Sequence, residues 1–167
     1  MNIAVIGYSG NVNKPPVTEI SELCISVGEK LARLNHRIFT GGRDGVMELV
    51  ARGARSVNGD VIGILPFEEK GNEYNTLNIL TGMDYLTRSL LIVRSCDYVI
   101  SIGGEIGTLY EIVSAYACGK TVILMRGTGG WTDRISSMLI EGKYLDNRKI
   151  APLKQVNSFN QLENLLT

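Results

Sequence analysis

The stretch "SIGGEIGTLYE", residues 101–111, decides how this chain is read. An apolar run of strand length, "DYVISIGG" (97–104), leads into it, and a segment of helical period, "GTLYEIVSAYACG" (107–119), leads out. Between them fall Gly103, Gly104, Gly107 and Thr108, with Glu105 and Glu111 beside them. Two readings compete. Glycines lack a Cβ, so the backbone can turn sharply and set its N–H groups against an anion. A helix starting near Thr108 would add its dipole and unpaired amides at the same place, holding a phosphate without any lysine. Alternatively, "TLYE" is a capping box, in which Thr108 accepts from the N3 amide and Glu111 folds back to the N-cap amide. Periodicity alone leaves both open.

Further apolar runs of strand length occur at "IAVIG" (3–7), "RIFTGG" (37–42), "VIGILP" (61–66) and "TVILMRG" (121–127). Short, continuous, Val/Ile-rich runs are what a parallel sheet covered on both faces requires. Between the first two, Ile20, Leu23, Cys24, Val27, Leu31 and Leu34 follow helical spacing, with Pro15 and Pro16 suited to the helix start. Helices are also predicted over 44–57, 83–95, 107–119 and 130–142, and over 158–166 with Ser158 as its cap. Strand–helix alternation of this kind implies an α/β fold, a doubly wound Rossmann-like parallel sheet flanked by helices. A stretch of 167 residues is most simply one domain, 1–167. The Asn- and Gly-rich segment "PFEEKGNEYNT" (66–76) reads as one long loop, a lid or a partner contact.

Ligands of open α/β sheets bind outside the carboxyl ends of the strands. Glycine turns stand at three such ends: "GYSG" with Gly7 and Ser9, "GGRDG" with Gly41, Gly42 and Arg43, and "GGEIGT" with Gly103, Gly104, Gly107 and Thr108. None is a G-x-G-x-x-G, so a small phosphorylated ligand fits better than a dinucleotide. Seventeen basic and seventeen acidic residues balance, which disfavours nucleic acid or an anionic membrane as partner. Cys24, Cys96 and Cys118 are widely spaced and lie in apolar segments, as free thiols of a reducing cytosol do. With no signal-like start and no apolar run of membrane-spanning length, a cytoplasmic location is expected.

From Arg88 onward, "RSLLIVRSCDYVISIGGEIGTLYE" resembles the LONELY GUY (LOG) family, also labelled possible lysine decarboxylases. That family carries R-K-x-x-M-x-x-x-A-D followed by P-G-G-x-G-T-x-x-E. Without gaps, Arg88 and Glu111 match its catalytic arginine and glutamate, Asp97 its aspartate, and Gly104, Gly107 and Thr108 its phosphate loop. "IAVIGYSG" and "TGGRDGVMELVARGA" extend the likeness over roughly the first 125 residues. Ser89 stands where the family has lysine, Gly103 where it has proline, and Glu105 where it has a second glycine. The "SIGGEIGT" form is closer to a LOG-like subgroup that also resembles the molybdenum-cofactor carrier proteins.

The resemblance implies hydrolysis of the N-glycosidic bond of a nucleoside 5′-monophosphate, giving free base and ribose 5-phosphate. Glu111 would stabilise the oxocarbenium-like sugar or activate water, and Arg88 would orient the substrate and keep Glu111 ionised. The alternative it implies is a carrier that holds a pterin phosphate without turnover. Neither role needs a metal or a resident cofactor. The family also implies a homodimer, or a larger homo-oligomer, built on helices 83–95 and 107–119, with Leu91, Ile92, Tyr110 and Tyr116 as surplus apolar residues.

Other residues have plainer expectations. His36 sits at a helix-to-strand turn, Asp44 is either an N-cap or a ligand contact, and Asp97 anchors a loop. Trp131 either covers the crevice or fills a hydrophobic edge. Met83, Leu86, Leu90 and Val93 form an apolar stripe on the helix that carries Arg88.

Overall fold

The computed structural model describes residues 1–166. Seven strands form one sheet in the order β4-β3-β2-β1-β5-β6-β7. They are β1 (Asn2–Gly7), β2 (Arg37–Thr40), β3 (Val61–Leu65), β4 (Leu77–Leu80), β5 (Tyr98–Ile102), β6 (Thr121–Met125) and β7 (Leu153–Val156). Every pairing is parallel. The chain winds outward from β1 to β4, then returns to lay β5 on the other side of β1. The β1/β5 seam is therefore the switch point, where such sheets leave a crevice at the carboxyl ends. The register pairs Gly7 with Ile102, so both strands finish at the same level.

The helices are α1 (Ser21–Arg33), α2 (Val46–Arg55), α3 (Tyr85–Arg94), α4 (Ile106–Ala117), α5 (Gly130–Arg134) and α6 (Phe159–Leu166). One face of the sheet buries Cys24, Val27 and Leu31 of α1, Leu49 and Val50 of α2, and Leu162 and Leu166 of α6. The other buries Ile92 and Val93 of α3 with Ile112, Ala115 and Tyr116 of α4. This two-sided cover explains why the strands are apolar without alternation. α1 and α2 cross closely at two glycines. A Cβ on Gly28 would lie 2.0 Å from the Val50 carbonyl oxygen, and one on Gly53 would lie 1.9 Å from that of Ile25.

Several elements differ from the expectation. The stretch after the 66–76 loop forms edge strand β4, whose four residues are all exposed. A second edge strand, β7, was also not foreseen. The helix expected over 130–142 ends at Arg134 and tightens into a 3-10 turn over Ile135–Met138. There Ser136 and Ser137 donate to the Asp133 and Arg134 carbonyls at 2.6 and 2.9 Å, and Leu139 turns extended. α1 begins at Ser21, after a 3-10 turn over Thr18–Ile20, so Pro15 and Pro16 precede the helix rather than open it. α2 is led by Gly45 at φ 63°, not capped by Asp44, because the Val46 amide is taken by the Tyr8 carbonyl at 2.8 Å. Ser158 does cap α6, accepting from the Gln161 amide at 3.4 Å. The three cysteines are free thiols, Cys24 and Cys96 buried and Cys118 half-buried. Among the described residues, no helix is long and apolar enough to cross a membrane.

Candidate functional site

The three glycine turns meet. Gly7 and Ser9 after β1, Gly41 and Arg43 after β2, Arg88 and Ser89 of α3, and Glu105, Gly107, Thr108 and Glu111 around the start of α4 line one crevice of about 360 Å³. That is within the range of small-molecule sites. Met47, Tyr85, Leu86 and Ile106 complete its apolar part. A shallower depression of about 460 Å³ at the opposite end of the sheet holds Asn2, His36, Asp60 and Asp97. It has neither a helix N-terminus nor a glycine turn after a strand, so the switch-point crevice is the better site. Asp97 at that far end accepts from the Asn2 amide at 2.9 Å, an anchor between β1 and β5. Trp131 lies in a separate apolar groove with Leu109, Val113 and Met138, away from the crevice.

Gly42, Gly103 and Gly104 stand behind the residues that line the crevice. Each is used to shape the wall from behind. Gly103 has φ 61° beneath the Tyr8 ring, where a Cβ would come within 2.1 Å of Cε2. Its amide donates to Thr128 Oγ1 at 2.8 Å, so that donor is not left for an anion, and its carbonyl accepts from Thr132 Oγ1 at 2.6 Å. The Gly104 carbonyl accepts from the Trp131 amide at 2.8 Å. The Gly42 carbonyl is held by Asn72 and Asn75 of the following loop. The anchoring residues Thr128 and Thr132 escaped the sequence reading, because they lie a strand away in "GTGGWTD".

The capping box does not form. α4 starts at Ile106 with Glu105 in the N-cap position, and no side chain caps it. Thr108 is therefore already the third helical residue, and its hydroxyl donates to the Gly7 carbonyl at 3.2 Å, tying α4 to β1. Glu111 lies a turn deeper and accepts from Ser89 Oγ at 2.8 Å. The first turn of α4, Glu105 to Thr108, is thus a wall of the crevice without a side chain closing its amides.

Arg88 is buried at 6% exposure and donates from Nη1 to the Ile64 carbonyl at 2.9 Å, while its Nε has no hydrogen-bond partner. Gly41 makes this possible, since a Cβ there would sit 2.1 Å from Nη1. Burial holds the guanidinium below its usual value, against the pull of Glu111. Arg88 favours the ionised form of Glu111, as the resemblance implied, but it is not the leading influence. Burial drives the Glu111 carboxyl up to about 7, outweighing the Ser89 hydrogen bond and the Arg88 charge, which both lower it. Ser89, which occupies the family's lysine position, is the partner that Glu111 has instead. Glu105 is exposed at the crevice edge, so a carboxylate does stand near the helix start. Among the described residues, no group of three or more His, Cys, Asp or Glu could hold a metal ion.

A parallel sheet with a glycine-shaped crevice at its switch point, flanked by a helix N-terminus, defines the Rossmann-like class of small-ligand-binding folds. Within that class, residues 1–160 match the model of the SLOG cluster4 family, and the chain belongs to that family. It is 38% identical over 127 residues to an uncharacterized protein of Archaeoglobus fulgidus, covering 75% of this chain and 80% of that one. The crystal structure of TM1055 superposes with a TM-score of 0.98 at 53% identity, covering 99% of this chain and 97% of the other. The molybdenum cofactor binding protein of the phototrophic bacterium Rippkaea orientalis superposes with a TM-score of 0.79 at 25% identity, covering 99% and 97%. The LOG-like reading with a likeness to molybdenum-cofactor carriers therefore holds at the level of family and fold.

Proposed function

We propose that the chain binds a small phosphorylated ligand, with the phosphate against the first turn of α4 and Arg88 beneath the ligand. Gly107 carries this reading. It is the second residue of α4, its φ lies outside the left-handed region, and a Cβ there would meet nothing within 4 Å. Neither backbone nor packing needs a glycine that costs a helix about 0.5–1 kcal/mol relative to alanine. Room for an anion close to the amides accounts for it. The unpartnered Nε of buried Arg88 supports the same reading, as a donor awaiting an acceptor.

Holding the ligand without turnover is the finer reading, supported by the likeness to the Rippkaea orientalis protein. One observation favours nucleoside monophosphate hydrolysis as a second reading: a carboxyl near 7 is in the range of a general acid or base. A thermal-shift screen of AMP, GMP and molybdopterin, followed by assay of released base, separates them. At a hundredfold excess over Kd we expect about 2.7 kcal/mol of stabilisation, or about 5–10 °C. A shift without base release selects the carrier, and base release selects the hydrolase. No shift with any phosphorylated compound sinks both.

The same reading includes a homodimer through α3 and α4. Ile92 and Tyr116 are in the core and do not serve it. Met83, Leu86 and Leu91 of the α3 region, with Ile106 and Val113 of α4, remain exposed. Of the Met83–Val93 stripe, only Val93 turned inward, and the buried face of α3 is instead Arg88, Ser89, Ile92 and Val93. Light scattering at micromolar concentration should give twice the monomer mass, and a monomer would count against the interface.

A further inference from the structure

Glu69, on the loop that follows β3, forms an ion pair with Arg43 Nε at 2.8 Å and accepts from the Tyr85 hydroxyl at 2.5 Å. Arg43 and Tyr85 both line the crevice, whereas Glu69 reaches them from outside it. The guanidinium is stacked over the Tyr85 ring, 5.2 Å from its centroid, and Phe67 packs edge-on against the same ring at 5.7 Å. Two donors of the crevice wall, Arg43 and Tyr85, are therefore already arranged around a carboxylate. Glu69 is held through its amide, which donates to the Pro66 carbonyl at 3.2 Å, and the backbone at Gly42 and Arg43 has more ties. Asn72 Nδ2 donates to the Arg43 carbonyl at 2.7 Å and the Gly42 carbonyl at 3.1 Å, and Asn75 donates to Gly42 at 2.9 Å. At the other end, the Phe67 amide is tied to the Met83 carbonyl at 2.8 Å. Residues 68–71 between these ties carry Glu69.

We propose that Arg43 and Tyr85 form a subsite for a second anionic group of the ligand, and that Glu69 holds this subsite until such a group displaces it. This rests on the reading of the crevice as a phosphate-ligand site. The ligand class it defines is a small molecule with two separated anionic groups, one at the start of α4 and one at Arg43. The exchange is accessible, because Arg43 and Glu69 are both about one-third exposed, where solvent weakens an ion pair, and the incoming anion also takes over the Tyr85 hydroxyl. A phosphate or carboxylate brought in on the ligand meets the same donors with a planar guanidinium already in place. Segment 68–71 then swings away while the asparagine ties keep Arg43 where it is.

Calorimetry with AMP and adenosine 3′,5′-bisphosphate as probes tests this on the full chain. Glu69→Gln should bind the bisphosphate about fivefold more tightly than the wild type does, the equivalent of about 1 kcal/mol, and should leave AMP within twofold. Arg43→Gln should abolish the preference for bisphosphate over AMP. In the wild type, the bisphosphate but not AMP should speed amide exchange at residues 68–71. A merely structural Glu69 would shift both probes alike, and that result overturns the subsite, as does failure of the bisphosphate to bind Glu69→Gln. Gly107→Ala reports separately on the parent reading. If it weakens neither probe while Glu69→Gln still discriminates between them, the α4 phosphate site fails and the Arg43 subsite stands.

Discussion

Gly107→Asp is expected to fold more stably than the wild type and to lose about two orders of magnitude in affinity for phosphorylated ligands. Stability rises for two reasons. A glycine in a helix costs about 0.5–1 kcal/mol relative to alanine, and aspartate, a poorer helix former, recovers part of that. An acidic residue in the first turn also gains about 0.3–1 kcal/mol from the helix dipole. The space beside Gly107 is empty out to 4 Å, so the side chain fits, while Glu105 at the N-cap and Glu111 one turn on repel it and offset part of the gain. The melting temperature should rise by about 1–2 °C. Binding falls because the new carboxylate occupies the position assigned to the phosphate. Two charges about 4 Å apart repel by about 1–4 kcal/mol between bulk water and a protein surface. Gly107→Ala separates crowding from charge: it should gain most of the helix stability and lose less affinity. Calorimetric titration and thermal unfolding of both variants give the answer. Unchanged affinity in Gly107→Asp would mean that the anion does not sit at α4.

What the sequence revealed, and what it hid, follows from the range of the interactions involved. The core strands and the paired helices were legible because burial on both faces writes itself into continuous Val/Ile runs, as in "IAVIG" and "TVILM". β4 was not, because "LNIL" is exposed on every residue and follows a loop rich in Asn and Gly, so no burial pattern marks it. The convergence of Gly7, Gly41 and Gly107 could be expected from their places at strand ends, since a parallel sheet puts all such ends on one side. The capping box misled because its spacing fits wherever the helix begins. Local sequence did not show that Ile106 and Gly107 are helical, which moves Thr108 from the N-cap to the third position. Ser89 was noticed only as a departure from the family pattern. Its bond to Glu111 spans 22 residues and two helices, and depends on the packing of α3 on α4. No periodicity encodes that contact.

Glu111→Gln is expected to be more stable than the wild type above pH 7 and indistinguishable from it below pH 4.5. The folded chain raises the Glu111 carboxyl from 4.5 to about 7, with burial as the leading cause. A raised carboxyl means that the neutral form suits the fold. Its contribution is fully present below the unfolded value and is lost as pH rises through the folded one, so the wild type weakens between about 4.5 and 7. The whole shift corresponds to roughly 3 kcal/mol. Crevice water reaches this half-buried side chain, so about 2 kcal/mol, or about 5 °C in melting temperature, is expected. Glutamine keeps an oxygen that accepts from Ser89 Oγ and carries no charge to bury, so its advantage over the wild type should grow over the same range, the other titrating groups acting alike in both. Thermal unfolding from pH 4 to 8 checks this, and parallel slopes for the two proteins would show that Glu111 titrates normally. The same variant discriminates between the two functions. A hydrolase that relies on the carboxyl for proton transfer loses two to four orders of magnitude in kcat, whereas a carrier retains its ligand. Higher stability at neutral pH with undiminished binding would show that the ligand is held without the Glu111 carboxyl. Higher stability with lost turnover would identify a site that sacrifices folding free energy to keep a proton within reach of the substrate.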